Sequence, residues 1–154
     1  PIVNGTFSNQ LNTAAVLSQT SLEQMLIQIR NAVDNNGKRI RLTPTQIVTG
    51  PSNVFQAETL LKSVLKSGTA DNDINPVKSM GLLSDGQANM SRITSNTAWW
   101  VQTDAPEGLK LLMRRGLEKS MEGDFATDSM RYKATERYTV GWTDPRAVFG
   151  TAGV

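Results

Sequence analysis

The chain has 154 residues, of which 38% are hydrophobic and 19% charged, and its formal net charge is +2. This length and composition predict one ordinary soluble domain with a real core, and so small a charge excess argues against a dedicated nucleic-acid-binding protein. The chain has no Cys and no His, which excludes disulfides, thiolate metal sites and the commonest general base of enzymes. No apolar run comes near the ~18 residues that a membrane-spanning helix needs.

Residues 1–19 are uncharged and rich in Asn, Gln, Ser and Thr. This composition predicts an extended or loosely ordered arm that gains its order mainly from neighbouring molecules. A helix is predicted to follow, because Thr20 and Glu23 have the spacing of a capping box. Gly37 suits the left-handed position at which such a helix ends. The apolar stripe of this helix consists of Leu22, Met25, Leu26, Ile29 and Val33.

The middle of the chain predicts a second helix between two strands. A short strand covers 46–49, and Ser52 or Asn53 then caps the helix. Residues 76–83 are predicted to hold the other strand. The apolar face of the second helix consists of Val54, Ala57, Leu61, Val64 and Leu65.

Two adjacent tryptophans lie in a further predicted strand, 97–103. Successive side chains of a strand point to opposite faces, so Trp99 shares a face with Val101 while Trp100 lies on the other face. One ring should therefore lie at an interface or under a loop. A bulge that lets both rings pack in the core is the alternative.

The last third of the chain predicts a long β ribbon. Residues 130–142 alternate with a period of two, which places apolar side chains on one face, interrupted only by Glu136. The apolar side is Met130, Tyr132, Ala134, Tyr138, Val140 and Trp142, and the polar side is Arg131, Lys133, Thr135, Arg137 and Thr139. We expect the apolar side to lie on a core, with Tyr132, Tyr138 and Trp142 as its anchors.

This strand is about twice the usual five or six residues long, so it should bend or carry a bulge. A single ribbon strand is not stable alone in water, and 108–115, with the sequence GLKLLMRR, is its predicted partner. Gly116 and Gly123 are the predicted turn positions between the two strands. The order helix, strand, helix, strand, strand, ribbon predicts an α+β architecture.

Four acidic residues of the ribbon are the strongest catalytic candidates, namely Glu118, Glu122, Asp124 and Asp128. Paired carboxylates serve glycosidases and metal sites, but we favour a solvated acidic turn, because no aromatic sugar platform accompanies them. The chain has neither a phosphate-binding loop nor a dinucleotide fingerprint, and without His the usual serine triad cannot form. We therefore expect no enzyme activity and no catalytic, cofactor or metal site.

The basic residues of the ribbon have two interpretations. They contact a phosphate backbone, or they pair with Glu118, Glu122 or the acidic residues of a neighbouring chain. We favour the second interpretation. The predicted subunit interface consists of Arg114, Arg115, Glu118, Glu122, Arg131, Lys133 and Arg137.

The segment RYKATERYTVGWTDPRAVFG resembles the C-terminal part of tailed-phage major capsid proteins, which have the HK97-like capsid fold that encapsulin shells share. The upstream segment DNNGKRIRLTPTQIVTG, followed by a helix, is similar more loosely. These motifs are strands and turns, not a catalytic signature. The matching residues are Arg131, Tyr132, Lys133, Glu136, Arg137, Tyr138, Gly141, Trp142, Asp144, Pro145, Arg146 and Gly150.

The resemblance implies an arm or linker over 1–19, an axial-type α+β domain over 20–105, and a peripheral-type β ribbon with the C-terminus over 106–154. The axial domain would combine a mixed sheet with two helices. The family also has an extended loop and a long spine helix upstream, which this sequence does not show. We therefore expect a fragment of the HK97-like fold, the C-terminal half of a capsid subunit.

By the same resemblance, the chain is expected to be a structural subunit that assembles into hexamers and pentamers of an icosahedral shell. Such a shell encloses the double-stranded DNA of a tailed bacteriophage or prophage, contacts it non-specifically, and needs no cofactor and no membrane. Scaffold and portal proteins are the further implied partners, and the virion capsid is assembled in the host bacterial cytoplasm. Two alternatives stay open: an encapsulin-like compartment for protein cargo, and an unrelated binding or adhesion module.

Overall fold

The computed structural model describes residues 8–66 and 73–153. They form two units, one from the described parts of 1–108 and 144–154 and the other from 109–143. In chain order the elements are α1 (Gln19–Arg30), β1 (Pro44–Thr49), a 3-10 helix (Pro51–Asn53), α2 (Val54–Lys62), α3 (Pro76–Ser79), β2 (Gln87–Asn89), β3 (Trp99–Thr103), β4 (Leu109–Asp124), β5 (Ser129–Trp142), a second 3-10 helix (Pro145–Ala147) and β6 (Val148–Thr151).

The larger unit is built on a four-stranded mixed sheet in the order β2-β1-β3-β6. Strands β1 and β2 run parallel, and the other neighbours run antiparallel. The apolar stripe of α1 packs on one face of this sheet, and the predicted α+β class is confirmed. The centre of this core consists of Leu22, Met25, Leu26 and Ile29 from α1 and Ile47, Trp99, Val101 and Phe149 from the sheet.

Helix α1 begins earlier than its sequence predicts. The side chain of Ser18 accepts a hydrogen bond from the backbone N–H of Ser21, and the hydroxyl of Ser21 accepts one from the N–H of Ser18. This reciprocal pair is the capping box, so the predicted box of Thr20 and Glu23 is wrong. The helix also ends at Arg30, before the predicted stop. Gly37, at φ +76°, instead lies in a turn after the helix.

The two tryptophans of β3 face opposite ways, as predicted. Trp99 is fully buried, and its indole Nε1–H donates to the carbonyl oxygen of Ala15 at 3.1 Å. Trp100 is half-buried on the other face, beside Gly150 of the neighbouring strand. A Cβ on Gly150 would come within 2.2 Å of Cδ1 of Trp100, so only glycine leaves room for that ring.

A short helix, α3, occupies the region where the sequence predicted a strand over 76–83. The buried side chain of Asn75 accepts a hydrogen bond from the N–H of Val77 and so caps α3, and Pro76 occupies the first helical position. The amide nitrogen of Asn75 also donates to the carbonyl oxygens of Leu60 and Ser63 at the end of α2. One polar side chain thus joins two helix ends, and the prediction of a strand is wrong.

The predicted face of α2 is correct only inside the helix. Ala57 is fully buried and Leu61 is partly buried. Val64 and Leu65 lie beyond the last helical residue, Lys62, and are 65% and 43% exposed. The helical spacing of apolar residues in the sequence therefore continues beyond the end of the helix. The assignment of these two residues to the buried face is wrong.

The part of the predicted arm that the structure describes, 8–18, is ordered by its own chain. Leu11 and Leu17 belong to the core, and the N–H of Gly150 donates to the carbonyl oxygen of Asn9 at 3.0 Å. The side chain of Asn9 also donates to the carbonyl oxygen of Val148 at 3.1 Å. This segment covers the outer edge of β6, which would otherwise expose backbone groups. Order supplied mainly by neighbours is therefore a wrong prediction for 8–18, and 1–7 lies outside the described residues.

The ribbon forms from the predicted partners but turns elsewhere. Strand β4 runs through Gly116 and Gly123, and the turn lies at 125–128. The predicted turn positions are therefore wrong. Residues 144–154 also leave the ribbon, because β6 pairs with β3 in the larger unit. The predicted division placed that segment with the ribbon over 106–154.

Removing the side chain of Asn75 tests its role between the helices. Asn75→Ala should lower the free energy of unfolding by about 2 kcal/mol, because a cap is lost and two carbonyl oxygens lose a donor. Urea unfolding followed by circular dichroism measures this difference. The control is Asn96→Ala at an exposed bend, which should change the free energy by less than about 0.5 kcal/mol. Equal stability of both variants would contradict the role of Asn75.

Candidate subunit interface

The ribbon is a two-stranded antiparallel sheet in register from Leu109 opposite Trp142 to Asp124 opposite Ser129. Strand β4 has 16 residues and β5 has 14. Both register shifts fall between Met113 and Glu118 of β4, so the two extra residues lie there. The sequence predicted a bend or bulge in the strand over 130–142, but the extra residues lie on β4, so the predicted position of the bulge is wrong.

One face of the ribbon is apolar on both strands. Trp142 lies opposite Leu109, and Tyr138 lies opposite Met113. Cross-strand partners share a face, so the alternation predicted for β5 is matched by β4. We call this surface the apolar face; its large members are Leu109, Leu111, Met113, Met121, Met130, Tyr132, Tyr138, Val140 and Trp142, and between 53% and 77% of each is exposed.

The predicted core anchors are therefore wrong for the single chain. Tyr132, Tyr138 and Trp142 are 77%, 59% and 66% exposed. A period of two correctly predicts which residues share a face, but it does not predict what covers that face. A two-stranded ribbon is one layer thick, so its own residues cannot bury the apolar face.

The opposite face carries most of the predicted interface residues. Nη2 of Arg131 lies 2.6 Å from Oδ2 of Asp124, and Nε of Arg115 lies 3.7 Å from Oε2 of Glu118. The pairing of Arg115 with Glu118 was among the predicted possibilities. The partner of Arg131 was missed, because Asp124 comes close to it only through the turn at 125–128.

Several other charges on or next to this face have no ion pair among the described residues. They are Arg114, Glu122, Lys133 and Arg137, and all are exposed. Arg115 lies directly opposite Arg137, an unfavourable cross-strand pair of like charges. Arg114 lies within the irregular stretch next to them. The chain thus leaves a cationic cluster of three arginines at the middle of the ribbon.

The acidic candidates do not converge on one site. Glu118 pairs with Arg115, Asp124 pairs with Arg131, and Asp128 lies in the turn with φ of +50°. In the described part of the chain, no group of three or more His, Cys, Asp or Glu residues could hold a metal ion. None of the helices described is long and apolar enough to cross a membrane.

A partly buried ion pair, between Asp144 and Arg146, holds the chain in place where it leaves the ribbon. Nε of Arg146 donates to both carboxylate oxygens of Asp144, at 2.8 and 3.1 Å, and Nη1 donates to the carbonyl oxygen of Val33 at 3.3 Å. The N–H of Asp144 donates to the carbonyl oxygen of Glu107 at 2.9 Å, and the hydroxyl of Thr103 donates to the carbonyl oxygen of Arg146. The hydrogen bond from Arg146 lowers the pKa of the Asp144 carboxyl, and burial opposes this effect more weakly.

A family model described as phage capsid protein matches residues 2–150. The chain belongs to this family of phage capsid proteins. The family predicted from the sequence is thereby confirmed. The capsid motif of the sequence lies on β5 and β6 and on the turn that holds Asp144 and Arg146.

One solved structure similar to this capsid chain is the virus-like particle from Pyrococcus furiosus, with 13% sequence identity and a TM-score of 0.49. The similarity covers 92% of the capsid chain and 55% of the particle's chain, so the capsid chain spans about half the length of that protein. None of the curated proteins compared matches the capsid chain.

The Asp144–Arg146 pair predicts how the stability of the capsid chain depends on pH. Because folding lowers the pKa of Asp144, the pair stabilises the fold above the ordinary aspartate pKa of about 3.9. This stabilisation is lost as the pH falls below that value and through the folded pKa. The difference in free energy of unfolding between wild type and Asp144→Asn should therefore shrink below about pH 4. Urea unfolding from pH 7 downward measures it, and a constant difference would contradict the assignment.

Proposed function

We propose that this chain is part of the major capsid protein of a tailed double-stranded DNA bacteriophage or prophage, and that it works as a self-assembling structural subunit. Membership of a phage capsid family supports the shell role. The subunits form hexamers and pentamers of an icosahedral shell, which is a component of the virion. The function then lies in repeated contacts between copies and not in a bond-making step.

The exposed apolar face of the ribbon is the observation that carries this proposal. Proteins that work as monomers rarely expose large apolar patches, and the nine large side chains of this face are each more than half exposed, although Glu136 interrupts the face. Burial of one large side chain stabilises an association by about 1.5–3 kcal/mol before the costs of association, and the apolar face has nine such side chains. A neighbouring copy that covers this face would add apolar contact energy to the assembly.

The enclosed genome is proposed as a non-specific partner of the basic residues. Arg114, Arg115 and Arg137 form the cationic cluster of the ribbon, and Arg114 and Arg137 have no ion pair among the described residues. The net charge of the chain is only +2, so this attraction is weak for each subunit and depends on salt. Scaffold and portal proteins would meet the same shell during its assembly in the bacterial cytoplasm.

Polar substitutions on the apolar face test the proposal in the full-length capsid protein. Val140→Ser with Trp142→Ser should leave thermal melting of the dissociated subunit within a few degrees of wild type, because both side chains are exposed there. The same change should reduce the yield of particles at least tenfold, since each copy loses apolar contact area. Sedimentation measures particle yield.

The control carries two small changes on the opposite face, Thr135→Ser and Thr139→Ser. It should assemble like wild type. Normal particles from the Val140→Ser, Trp142→Ser variant would show that the apolar face is not a shell contact. Nuclease treatment before and after disruption of the particles separates a DNA-filled capsid from a compartment that holds protein.

A further inference from the structure

A small hairpin follows α1 and contains an asparagine–glycine step. The N–H of Asp34 donates to the carbonyl oxygen of Lys38 at 2.7 Å, and the N–H of Gly37 donates to the carbonyl oxygen of Asp34 at 2.9 Å. Gly37 has a φ of +76°, so the loop of Asn35, Asn36 and Gly37 is of the three-residue type that ends on a left-handed residue. The backbone of this loop therefore favours glycine directly after Asn36.

Few contacts hold this hairpin, which spans 33–39, in its closed form. Asn36 and Gly37 are exposed, and a Cβ added to Gly37 would meet no atom within 4 Å. Beyond the loop, Val33 and Arg39 form an isolated β-bridge. Segments with exposed backbone hydrogen bonds and few buried contacts open locally at low cost, without unfolding of the whole domain.

The asparagine–glycine step has a chemistry of its own. The backbone nitrogen of Gly37 can attack Cγ of Asn36, because glycine has no Cβ to crowd the approach. A new N–Cγ bond closes a five-membered succinimide ring, and the side-chain nitrogen leaves as ammonia with the proton of the Gly37 N–H. Among the described residues, asparagine precedes glycine only here.

Water then opens the succinimide ring. When it adds at Cγ, the N–Cγ bond breaks and the product is aspartate. When it adds at the main-chain carbonyl carbon, the peptide bond breaks there, the chain continues through Cγ, and the product is isoaspartate. The two steps consume one water molecule and release one ammonia, and they need no oxidant, reductant or metal.

We propose that Asn36 converts spontaneously to aspartate and isoaspartate in the folded protein, so that the hairpin is a modification site. In the closed hairpin the N–H of Gly37 is held by the carbonyl oxygen of Asp34, so the attack takes place when the hairpin opens. The conversion is therefore slower than in an unstructured peptide, but it does not require global unfolding. This inference is independent of the proposed shell function.

The conversion changes both the charge and the backbone of the hairpin. A carboxylate appears two residues before Lys38, and neither Lys38 nor Arg39 has an ion pair among the described residues. Isoaspartate also adds a methylene group to the main chain, which alters the spacing of the loop hydrogen bonds. The carbonyl oxygen of Val33 accepts from Nη1 of Arg146 at 3.3 Å, so the modified hairpin adjoins that guanidinium.

Ageing of the full-length protein tests the proposal. The folded protein and an unstructured peptide with the sequence of 31–41 are incubated in parallel at mildly alkaline pH. Trypsin then releases 31–38, in which fragmentation by mass spectrometry distinguishes Asn35 from Asn36. The exchange of NH2 for OH changes the mass, and chromatography separates the aspartate product from the isoaspartate product. Asn96 is the internal control, because it is exposed in a bend but precedes Thr97.

Asn36 is expected to convert in the folded protein to both products, several-fold more slowly than in the peptide, while Asn35 and Asn96 remain amides. A folded protein that keeps Asn36 intact while the peptide converts would overturn the proposal. Conversion of Asn96 as fast as that of Asn36 would also overturn it, because a β-branched neighbour would then not hinder the attack.

Two variants test the ring closure itself. Gly37→Ala strains the left-handed position and favours the open hairpin, but its Cβ crowds the attacking nitrogen, so conversion of Asn36 should slow several-fold. Asn36→Gln keeps the amide and the charge but needs a six-membered ring, and it should remain unconverted over the same interval. Unchanged conversion in Gly37→Ala, or equal conversion in Asn36→Gln, would contradict attack by the backbone nitrogen.

Discussion

A two-stranded ribbon has one layer, and this constraint governs the rest of the structure. Strands β4 and β5 place most of their apolar residues on the same face, so pairing them enlarges an apolar surface and does not bury it. Water contact with that surface is costly, at roughly 25 cal/mol for each Å² of apolar area. The missing layer therefore has to come from outside the ribbon. Under the proposed function, a second copy of the capsid protein supplies that layer.

The two sheets of the chain differ in how their outer edges are protected. In the larger unit, the segment at 8–10 covers the outer edge of β6, and the other edge strand, β2, has only three residues. Short or covered edges do not recruit other chains. In the described part of the chain, no segment covers the outer edges of the ribbon, whose strands have 14 and 16 residues.

Charge and apolar area have different roles in such an assembly. Exposed ion pairs such as Arg131 with Asp124 contribute about 0–1 kcal/mol within one chain. Pairs of this size contribute too little to hold an assembly together by themselves. Under the proposed function, the apolar face supplies the energy of association. The Asp144–Arg146 pair is partly buried at the start of the second 3-10 helix. It stabilises the larger unit instead.

The sequence by itself determined the elements that depend on local periodicity and the family to which they belong. The period of two in β5, the opposite faces of Trp99 and Trp100, and the stripe of α1 all follow from backbone geometry, which is local. Helix ends were harder to predict from the sequence, because other residues nearby are also suitable caps. The observed caps are Ser18 with Ser21 in α1 and Asn75 with Pro76 in α3.

Only the tertiary structure decided what covers each surface. Burial depends on which distant segments meet, so the period that placed Tyr132, Tyr138 and Trp142 on one face could not show that the face stays exposed. The same holds for 8–18, whose polar composition resembles a free arm but whose backbone completes the edge of β6. It also holds for Asp124, which reaches Arg131 only because the strands turn at 125–128 and not at the glycines.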